Sequence, residues 1–340
     1  MNLFCCYNID MMVKENKRAW PMLEHQSGSN FKQQGRSKHR NFIVALLLAL
    51  VKLGGSTMSN YLKQEKKIAI LKAQVEGNSI RSTERMTGVH RDTIMRLLLE
   101  VGENCQNMLD KNIKHVDVDS IQCDEIWTFV AKKQRRLTDR EKASRVDEGD
   151  EYVFVALDAD SKLAISYLVG KRDRISAQKF IDDLGSRLNG NRVQISSDGF
   201  ESYAEAIERK FGNDVDYSQI IKQYAAEGAD RSRYSPPRVS TVIKETIIGH
   251  PDDGDANTAY VERQNLTMRM CMRRFTRLTN AFSKKLRNLK AAVALHFAYY
   301  NFCRVHQSLR MTPAMKAGLT DHVWEIEELL NYQPAMMKAA

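Results

Sequence analysis

The chain has 340 residues, of which 52 are lysine or arginine and 42 are aspartate or glutamate, so the net charge is +10 and the pI about 9.2. This length allows one substantial core with a smaller appended module, and the basic balance favours an anionic partner such as nucleic acid. The six cysteines contain no Cys-x-x-Cys pair and no zinc-ligand spacing, which excludes a disulfide framework and a zinc finger.

Residues 1–57 show no recognisable period. The apolar run 42–51 follows three basic residues, but it is too short to span a bilayer and lies too far from Met1 for a signal peptide. We expect 1–57 to be a disordered leader or an over-called start, with Met58 as the alternative first residue. The expected location is therefore the cytoplasm, with no membrane partner.

Apolar residues at helical spacing predict three short helices between residues 58 and 102, over 62–75, 79–86 and 91–101. A short helix, a turn at Gly88 and a third helix with a polar outer face form the pattern of a helix-turn-helix DNA-binding domain. In that motif the first residues of the third helix contact bases, so we predict DNA contacts from Arg91, Thr93 and Arg96. An ordinary three-helix packing unit is the alternative.

Residues 103–119 are polar and mixed, and we expect a linker there. Beyond them the apolar period becomes that of strands, predicted over 120–131, 152–158, 163–169, 192–196 and 217–223, with helices over 177–188 and 202–211. This alternation indicates an α/β domain over 120–310. Residues 225–258 are rich in Gly, Pro, Asp and Ser and predict an irregular insertion, and 311–340 are expected to form a C-terminal helical tail.

Three carboxylates stand in settings that favour metal binding. We expect Asp124 and Asp198 each at the end of an apolar strand and Glu262 near the start of a basic helix. Singly, each could be a solvated charge. Together they predict a catalytic triad of hard oxygen ligands for two Mg²⁺ or Mn²⁺ ions about 4 Å apart, acting on phosphodiesters. Glu125 is expected only to contact these metal ligands, without binding the ions itself.

The stretch 263–290 contains nine basic residues and no acidic one, and we expect it to be helical. Nine cations without counter-charges repel one another unless a polyanion is bound, which favours DNA contact. Helical spacing places Arg269 and Arg273 on the face of Glu262, where they could hold a phosphate beside the metals. The predicted DNA-binding residues of this stretch are Arg269, Arg273, Arg274, Arg277, Lys284 and Lys285.

Five runs together resemble bacterial insertion-sequence transposases of the DDE type, most closely the family named after the first insertion sequence. They are CDEIWTFV (123–130) followed by KKQR (132–135), ALDADSKL (156–163), SDG (197–199), YVERQN (260–265) and RLTNAFSKK (277–285). The resemblance covers about residues 58–330. It implies a ribonuclease-H-like mixed sheet flanked by helices, metal-dependent cleavage at element ends and transfer of the freed 3′-hydroxyl into target DNA.

The resemblance assigns the catalytic positions to Asp124, Asp198 and Glu262, and a DNA-contacting position to Arg269. Its implied partners are double-stranded DNA, both terminal inverted repeats and target, and further copies of the chain in a dimer or larger assembly. The zinc-finger-like element of related proteins has no counterpart here. Two other functions remain open: a metal-dependent structure-specific nuclease, and a DNA-binding regulator with a decayed catalytic core.

Overall fold

A six-stranded mixed sheet flanked by helices forms the centre of the computed structural model, which describes residues 61–224 and 239–332. Its strands are β1 (Ser120–Val130), β2 (Gly149–Asp158), β3 (Ala164–Gly170), β4 (Val193–Ser197), β5 (Val215–Tyr224) and β6 (Val239–Ile248). They lie in the order β3-β2-β1-β4-β5-β6. The β1–β4 and β4–β5 pairs are parallel and the other three are antiparallel. This α/β arrangement is consistent with the ribonuclease-H-like fold that the resemblance implies.

Ten α-helices lie within the described residues. They are α1 (Gln64–Val75), α2 (Ile80–Thr87), α3 (Arg91–Asn112), α4 (Asp139–Ser144), α5 (Arg174–Arg187), α6 (Glu201–Phe211), α7 (Ala259–Cys271), α8 (Leu286–Ala298), α9 (Pro313–Lys316) and α10 (Ile326–Asn331). From Leu62 onward the chain belongs to one compact unit, so the first three helices and the sheet share a single buried core.

The two faces of the sheet are covered by different helices, because successive strand residues point to opposite sides. On one face, Phe154 of β2 packs against Phe180 of α5 and Tyr203 of α6, with ring centroids 5.7 and 6.3 Å away. On the other face, Tyr167 of β3 stacks on Phe297 of α8 at 4.7 Å. The sheet is therefore buried between helices on both sides.

The three helices predicted at the start of the chain are present in the predicted order. The Ser79 hydroxyl accepts a hydrogen bond from Ser82 N (3.0 Å) and caps α2, and Gly88 ends that helix with φ +69°. Helix α3, however, continues to Asn112, ten residues into the range expected to be a linker. The reason is that Cys105 and Met108 extend its buried face. DNA binding by these helices stays a prediction.

Helix α3 is fastened to the rest of the core at two places. A Cβ on Gly102 would lie 2.6 Å from the Cα of Ala291 in α8. Helices α3 and α8 therefore approach each other more closely here than any larger residue would allow. Farther along, the buried Arg187 guanidinium of α5 forms an ion pair with Asp110 of α3. It also donates to the Leu109 carbonyl (3.2 Å) and to Asp183 (2.7 Å). A buried cation with several partners holds its helix in register.

Three expectations about the later part of the chain need correction. Asp124 does not end its strand but is the fifth of eleven residues in β1. The basic stretch is not one helix, because α7 ends at Cys271 and α8 begins only at Leu286. The insertion is not wholly irregular, because Val239–Ile248 forms β6 on the sheet edge, with apolar side chains such as Val242 and Ile243 exposed.

Some predictions fall on residues that lie outside the described ranges. These are the leader or over-called start at 1–57 with its apolar run, the part of the insertion over 225–238, and the end of the C-terminal tail from 333. Among the described residues, no helix combines the length and apolar character needed to cross a bilayer.

The close contact between α3 and α8 predicts that Gly102→Ala destabilises the protein by about 1–3 kcal/mol, because the added methyl would overlap the backbone of Ala291. Urea unfolding followed by circular dichroism measures this loss. The matched control is Gly185→Ala in α5, where the new methyl meets only the flexible side chain of Lys210. An equal loss in both variants would contradict the close helix contact as its cause.

Candidate functional site

Asp124 and Asp198 lie side by side because of the parallel pairing of β1 with β4. The register pairs Cys123 with Ser197, the last residue of β4. Beyond that pair β1 continues alone on this side, and Asp198 follows directly in the loop. The space left by the end of β4 is thus bordered by both carboxylates.

Glu125 joins this pair from the other face of the sheet. One carboxylate oxygen from each of Asp124, Glu125 and Asp198 lies within 4.8 Å of the others. The Glu125 side chain is only 3% exposed, and its buried Oε1 makes no well-formed hydrogen bond among the described residues, although the buried Tyr203 hydroxyl is near enough to oppose the rise in the pKa of Glu125. A buried carboxylate oxygen without a well-formed hydrogen bond is costly unless a cation binds it. The three side chains therefore fit a divalent metal ion with oxygen ligands.

Helix α7 is positioned over the same site by a side chain of β1. The buried Gln122 amide accepts hydrogen bonds from Tyr260 N (2.8 Å) and Val261 N (3.1 Å), satisfying two free donors in the first turn of α7. Gln122 and Asp124 share one face of the strand. Asn265, one turn into the helix, then donates to Asp124 Oδ2 at 2.8 Å.

Glu262 precedes Asn265 by one turn and borders the same cleft, but it is not one of the three clustered carboxylates. The cleft has a volume of about 370 Å³ and is bordered by Asp124, Glu125, Glu262 and Asn265. Glu262 Oε1 forms an ion pair with Lys222 of β5 and accepts a hydrogen bond from the Thr258 hydroxyl at 2.6 Å. Its negative charge still raises the pKa of Asp124 and of Asp198.

Cations surround these acids. The Arg172 guanidinium lies 3.6 Å from Asp198 Oδ2 and 3.8 Å from Glu125 Oε2, and it stacks on the Phe200 ring at 4.1 Å. Arg269 and Arg277 border the cleft above Asp124. Burial and repulsion from Arg277 lower the pKa of Arg269. A cleft with acids at its base and guanidinium groups at its rim suits a phosphodiester bound beside metal ions.

Burial raises the pKa values of all three clustered carboxyl groups, and repulsion from a neighbouring carboxylate adds to each rise. Burial is the largest cause in each case. Repulsion from Asp198 adds to it for Asp124, whose pKa rises to about 6, and for Glu125, whose pKa rises to about 8. Arg172 opposes the shift at Glu125 and at Asp198. The site therefore holds excess negative charge that a proton or a metal ion can neutralise.

The predicted DNA-binding residues separate into two groups. Arg269 and Arg277 lie at the carboxylate cleft, whereas Arg273 lies after the end of α7 and does not share its face. Six of the other predicted DNA-binding residues line a second cleft: Arg91, Arg96, Arg273, Arg274, Lys284 and Lys285. Thr93 does not line that cleft; its hydroxyl accepts a hydrogen bond from Arg96 at 3.4 Å.

Sequence reasoning missed three residues that contact the acids, Asn265, Arg172 and Lys222, and a fourth, Gln122, that positions α7. Asn265 had a signal, because it follows Glu262 by three positions and so lies on the same helix face. Arg172 follows the predicted third strand, but nothing in the local pattern pointed it toward Asp198. The contacts of Lys222 and Gln122 join residues 40 and 138 positions apart in the chain and leave no local signal.

No family model matches the chain, and no curated protein sequence is similar to it. Two solved structures of transposases are similar to it in part. A piggyBac transposase synaptic complex with hairpin DNA has a TM-score of 0.35 and 11% identity, covering 82% of this chain and 73% of that one. A Mos1 transposase paired-end complex with the left transposon end has a TM-score of 0.19 and 13% identity, with 62% and 66% covered. This likeness is partial, so a function has to rest on the residues of the site.

The raised carboxyl pKa values predict how metal-free protein responds to pH. The folded state keeps protons on Asp124 and Glu125 that the unfolded chain releases, so their contribution to stability falls as pH rises from about 4 toward 8. Because Mn²⁺ replaces those protons, it should raise the melting temperature more at pH 8 than at pH 5. Thermal unfolding in EDTA and in MnCl₂ at both pH values measures the effect. The double variant Asp124→Asn, Glu125→Gln should show no such difference; a difference that persists in it would place the bound ion elsewhere.

Because Lys222 forms an ion pair with Glu262, we expect Lys222 to compete with a metal ion for this carboxylate. Removing the ammonium in Lys222→Met should free Glu262 and tighten Mn²⁺ binding by up to about fivefold, the equivalent of about 1 kcal/mol for a partly exposed pair. Calorimetric titration measures the affinity. Lys171→Met, which removes an ion pair with Glu151 instead, is the control. Unchanged affinity in Lys222→Met would show that Glu262 does not bind the ion.

Proposed function

We propose that this protein is a DNA transposase that cleaves DNA and joins the freed 3′ end to a target in a metal-dependent reaction. The observation that carries the proposal is the position of Asp124 beside Asp198 at the end of β4, with Glu262 of a late helix at the border of the cleft that Asp124 lines. Carboxylates from two adjacent parallel strands and a late helix form a ligand set for divalent ions beside a phosphodiester.

Asp124 and Asp198 would hold the ions, Mg²⁺ or Mn²⁺, and Glu125 would supply its buried oxygen as a further ligand. Glu262 is proposed as the remaining catalytic acid, and its carboxylate would be available as a ligand when not paired with Lys222. Two ions in such a site activate the attacking oxygen and stabilise the leaving 3′ oxygen. Asn265 keeps Asp124 in place through its hydrogen bond, and Arg172 limits the repulsion between Glu125 and Asp198.

Arg269 and Arg277 are assigned to the phosphates that flank the cleaved bond. Both line the cleft, and neither has a carboxylate in an ion pair among the described residues. A guanidinium group binds two phosphate oxygens at once and so fixes the orientation of the backbone. The proposal also covers binding to terminal inverted repeats, as in insertion sequences, by two or more copies of the chain.

The test is cleavage and joining by the purified protein. Wild type with Mg²⁺ or Mn²⁺ should nick plasmid DNA, and it should join duplexes with a free 3′-hydroxyl, taken from the DNA flanking its gene, to a plasmid. Asp198→Asn should lower both rates by at least about a hundredfold, because it removes a charged ligand while keeping the size of the side chain. Gel electrophoresis of labelled ends measures both products.

The control is Asp182→Asn, an exposed carboxylate of α5 whose hydrogen bond among the described residues is to Gln178 of the same helix, and it should react like wild type. Nicking without joining would favour a nuclease over a transposase. If wild type binds DNA but neither nicks nor joins it with either metal ion, the proposal is wrong and a DNA-binding regulator is the better interpretation.

A further inference from the structure

A second, larger cleft lies between the first three helices and the connection that joins α7 to α8. Its volume is about 1070 Å³, and it shares no lining residue with the carboxylate cleft. One wall carries Arg81, Arg91 and Arg96 from α2 and α3. The wall opposite carries five further cations: Arg273, Arg274, Lys284, Lys285 and Arg287.

These eight cations face one another with almost no internal compensation. Asp92 is the one acid among the lining residues, and it lies 3.6 Å from His90. Within the described parts of the chain, no carboxylate forms an ion pair with any of the eight. Like charges gathered in a concave surface raise its potential and the free energy of the empty protein, and an anionic ligand removes both effects.

Arg274 is the most constrained of these cations. It is partly buried, and its described hydrogen bond runs from Nη1 to the Ser283 hydroxyl at 3.0 Å. Burial lowers its pKa to about 10, with no nearby carboxylate to oppose the shift. A largely desolvated guanidinium that bonds only a neutral hydroxyl keeps most of its donors free for a ligand.

The cleft is connected to the strand that carries Asp124. Buried Ser283 forms a bridge with Val130 at the end of β1, and its carbonyl accepts a hydrogen bond from Ala131 N at 2.9 Å. The Arg274 wall is therefore fixed to β1. The floor of the cleft is apolar, formed by side chains such as Leu98 and Leu295, and an apolar floor strengthens charge interactions above it.

We propose that this cleft is a separate binding site for the phosphodiester backbone of a nucleic acid strand, clamped between α2–α3 and the α7–α8 connection with Arg274 as its anchor. This proposal rests on the proposed function only in taking DNA as the molecule that carries the phosphates. It gives the start of α3 a different role from base reading, because the exposed Arg91 and Arg96 line a cleft whose other wall is also basic.

The central test is Arg274→Met in the full chain, with binding of labelled 20-nucleotide single strands and duplexes measured by fluorescence anisotropy across a salt series. Loss of one phosphate contact by a charged group should weaken binding by roughly ten- to a hundredfold. It should also lower the slope of log affinity against log salt by about 0.7 for single strands or about 0.9 for duplexes. The form of DNA that shows the change identifies the source of the phosphates.

The melting temperature of the Arg274→Met variant distinguishes a role of Arg274 in binding from a structural role. If Arg274 exists for a ligand, Arg274→Met removes an uncompensated charge and should leave the melting temperature of free protein unchanged or raised. If Arg274 only holds Ser283 in place, the melting temperature should fall while the salt slope stays at its wild-type value. Arg274→Lys keeps the charge, so it should keep the salt slope and lose only a few-fold in affinity.

Two further variants keep the result interpretable. Arg96→Met changes an exposed residue of the opposite wall and should reduce affinity and salt slope without any risk to folding. Arg209→Met removes the same charge from an exposed position on α6 and should behave like wild type. Wild-type salt slopes in both Arg274→Met and Arg96→Met would overturn the proposal. Asp198→Asn should bind DNA normally, so failure of this site and failure of the cleavage reaction are distinguishable.

Discussion

The parallel pairing of β1 with β4 is the constraint on which the rest of the site depends. It aligns Cys123 with Ser197 and ends there, so Asp124 and Asp198 meet where one strand stops and its neighbour continues. Up to the Cys123–Ser197 pair, the backbone groups of β1 and β4 are hydrogen-bonded to each other, which makes the position of the two carboxylates rigid. A sheet can hold acids this close together because hydrogen bonds on both sides of β1 resist their repulsion.

Excess charge of one sign recurs in two places in this molecule. Partly buried acids cluster at the end of β4, and cations without ion-pair partners among the described residues line the cleft between α3 and the α7–α8 connection. Neither arrangement is favourable in isolation, since each gathers like charges close together. Both become favourable if divalent ions occupy the first and phosphates the second, as the proposed reaction on DNA requires. The continuous strand β1 links the two, carrying Asp124 in its middle and contacting Ser283 at its end.

Regular periods in the sequence predicted most of the elements correctly. The five strands expected between residues 120 and 223 correspond to β1 through β5, and the Ser79 cap and the Gly88 turn lie where their side chains and backbone freedom require. Local sequence patterns did not predict the elements that depend on partners distant in the chain. Strand β6 pairs with β5 despite a composition typical of loops nearby, and α3 continues ten residues into the expected linker because α8 and Arg187 cover it.

The sequence by itself indicated three acids in regular elements, because Asp124 lies within an apolar strand, Asp198 follows one and Glu262 lies near the start of a helix. Tertiary structure decided their grouping: Glu125 belongs to the cluster, and Glu262 pairs with Lys222 at the border of the cleft that Asp124 lines. It also decided that the basic residues divide between two clefts, since the helix expected over the whole basic stretch ends at Cys271. Local propensity is encoded within a few residues, whereas distances between side chains depend on pairings that span the chain.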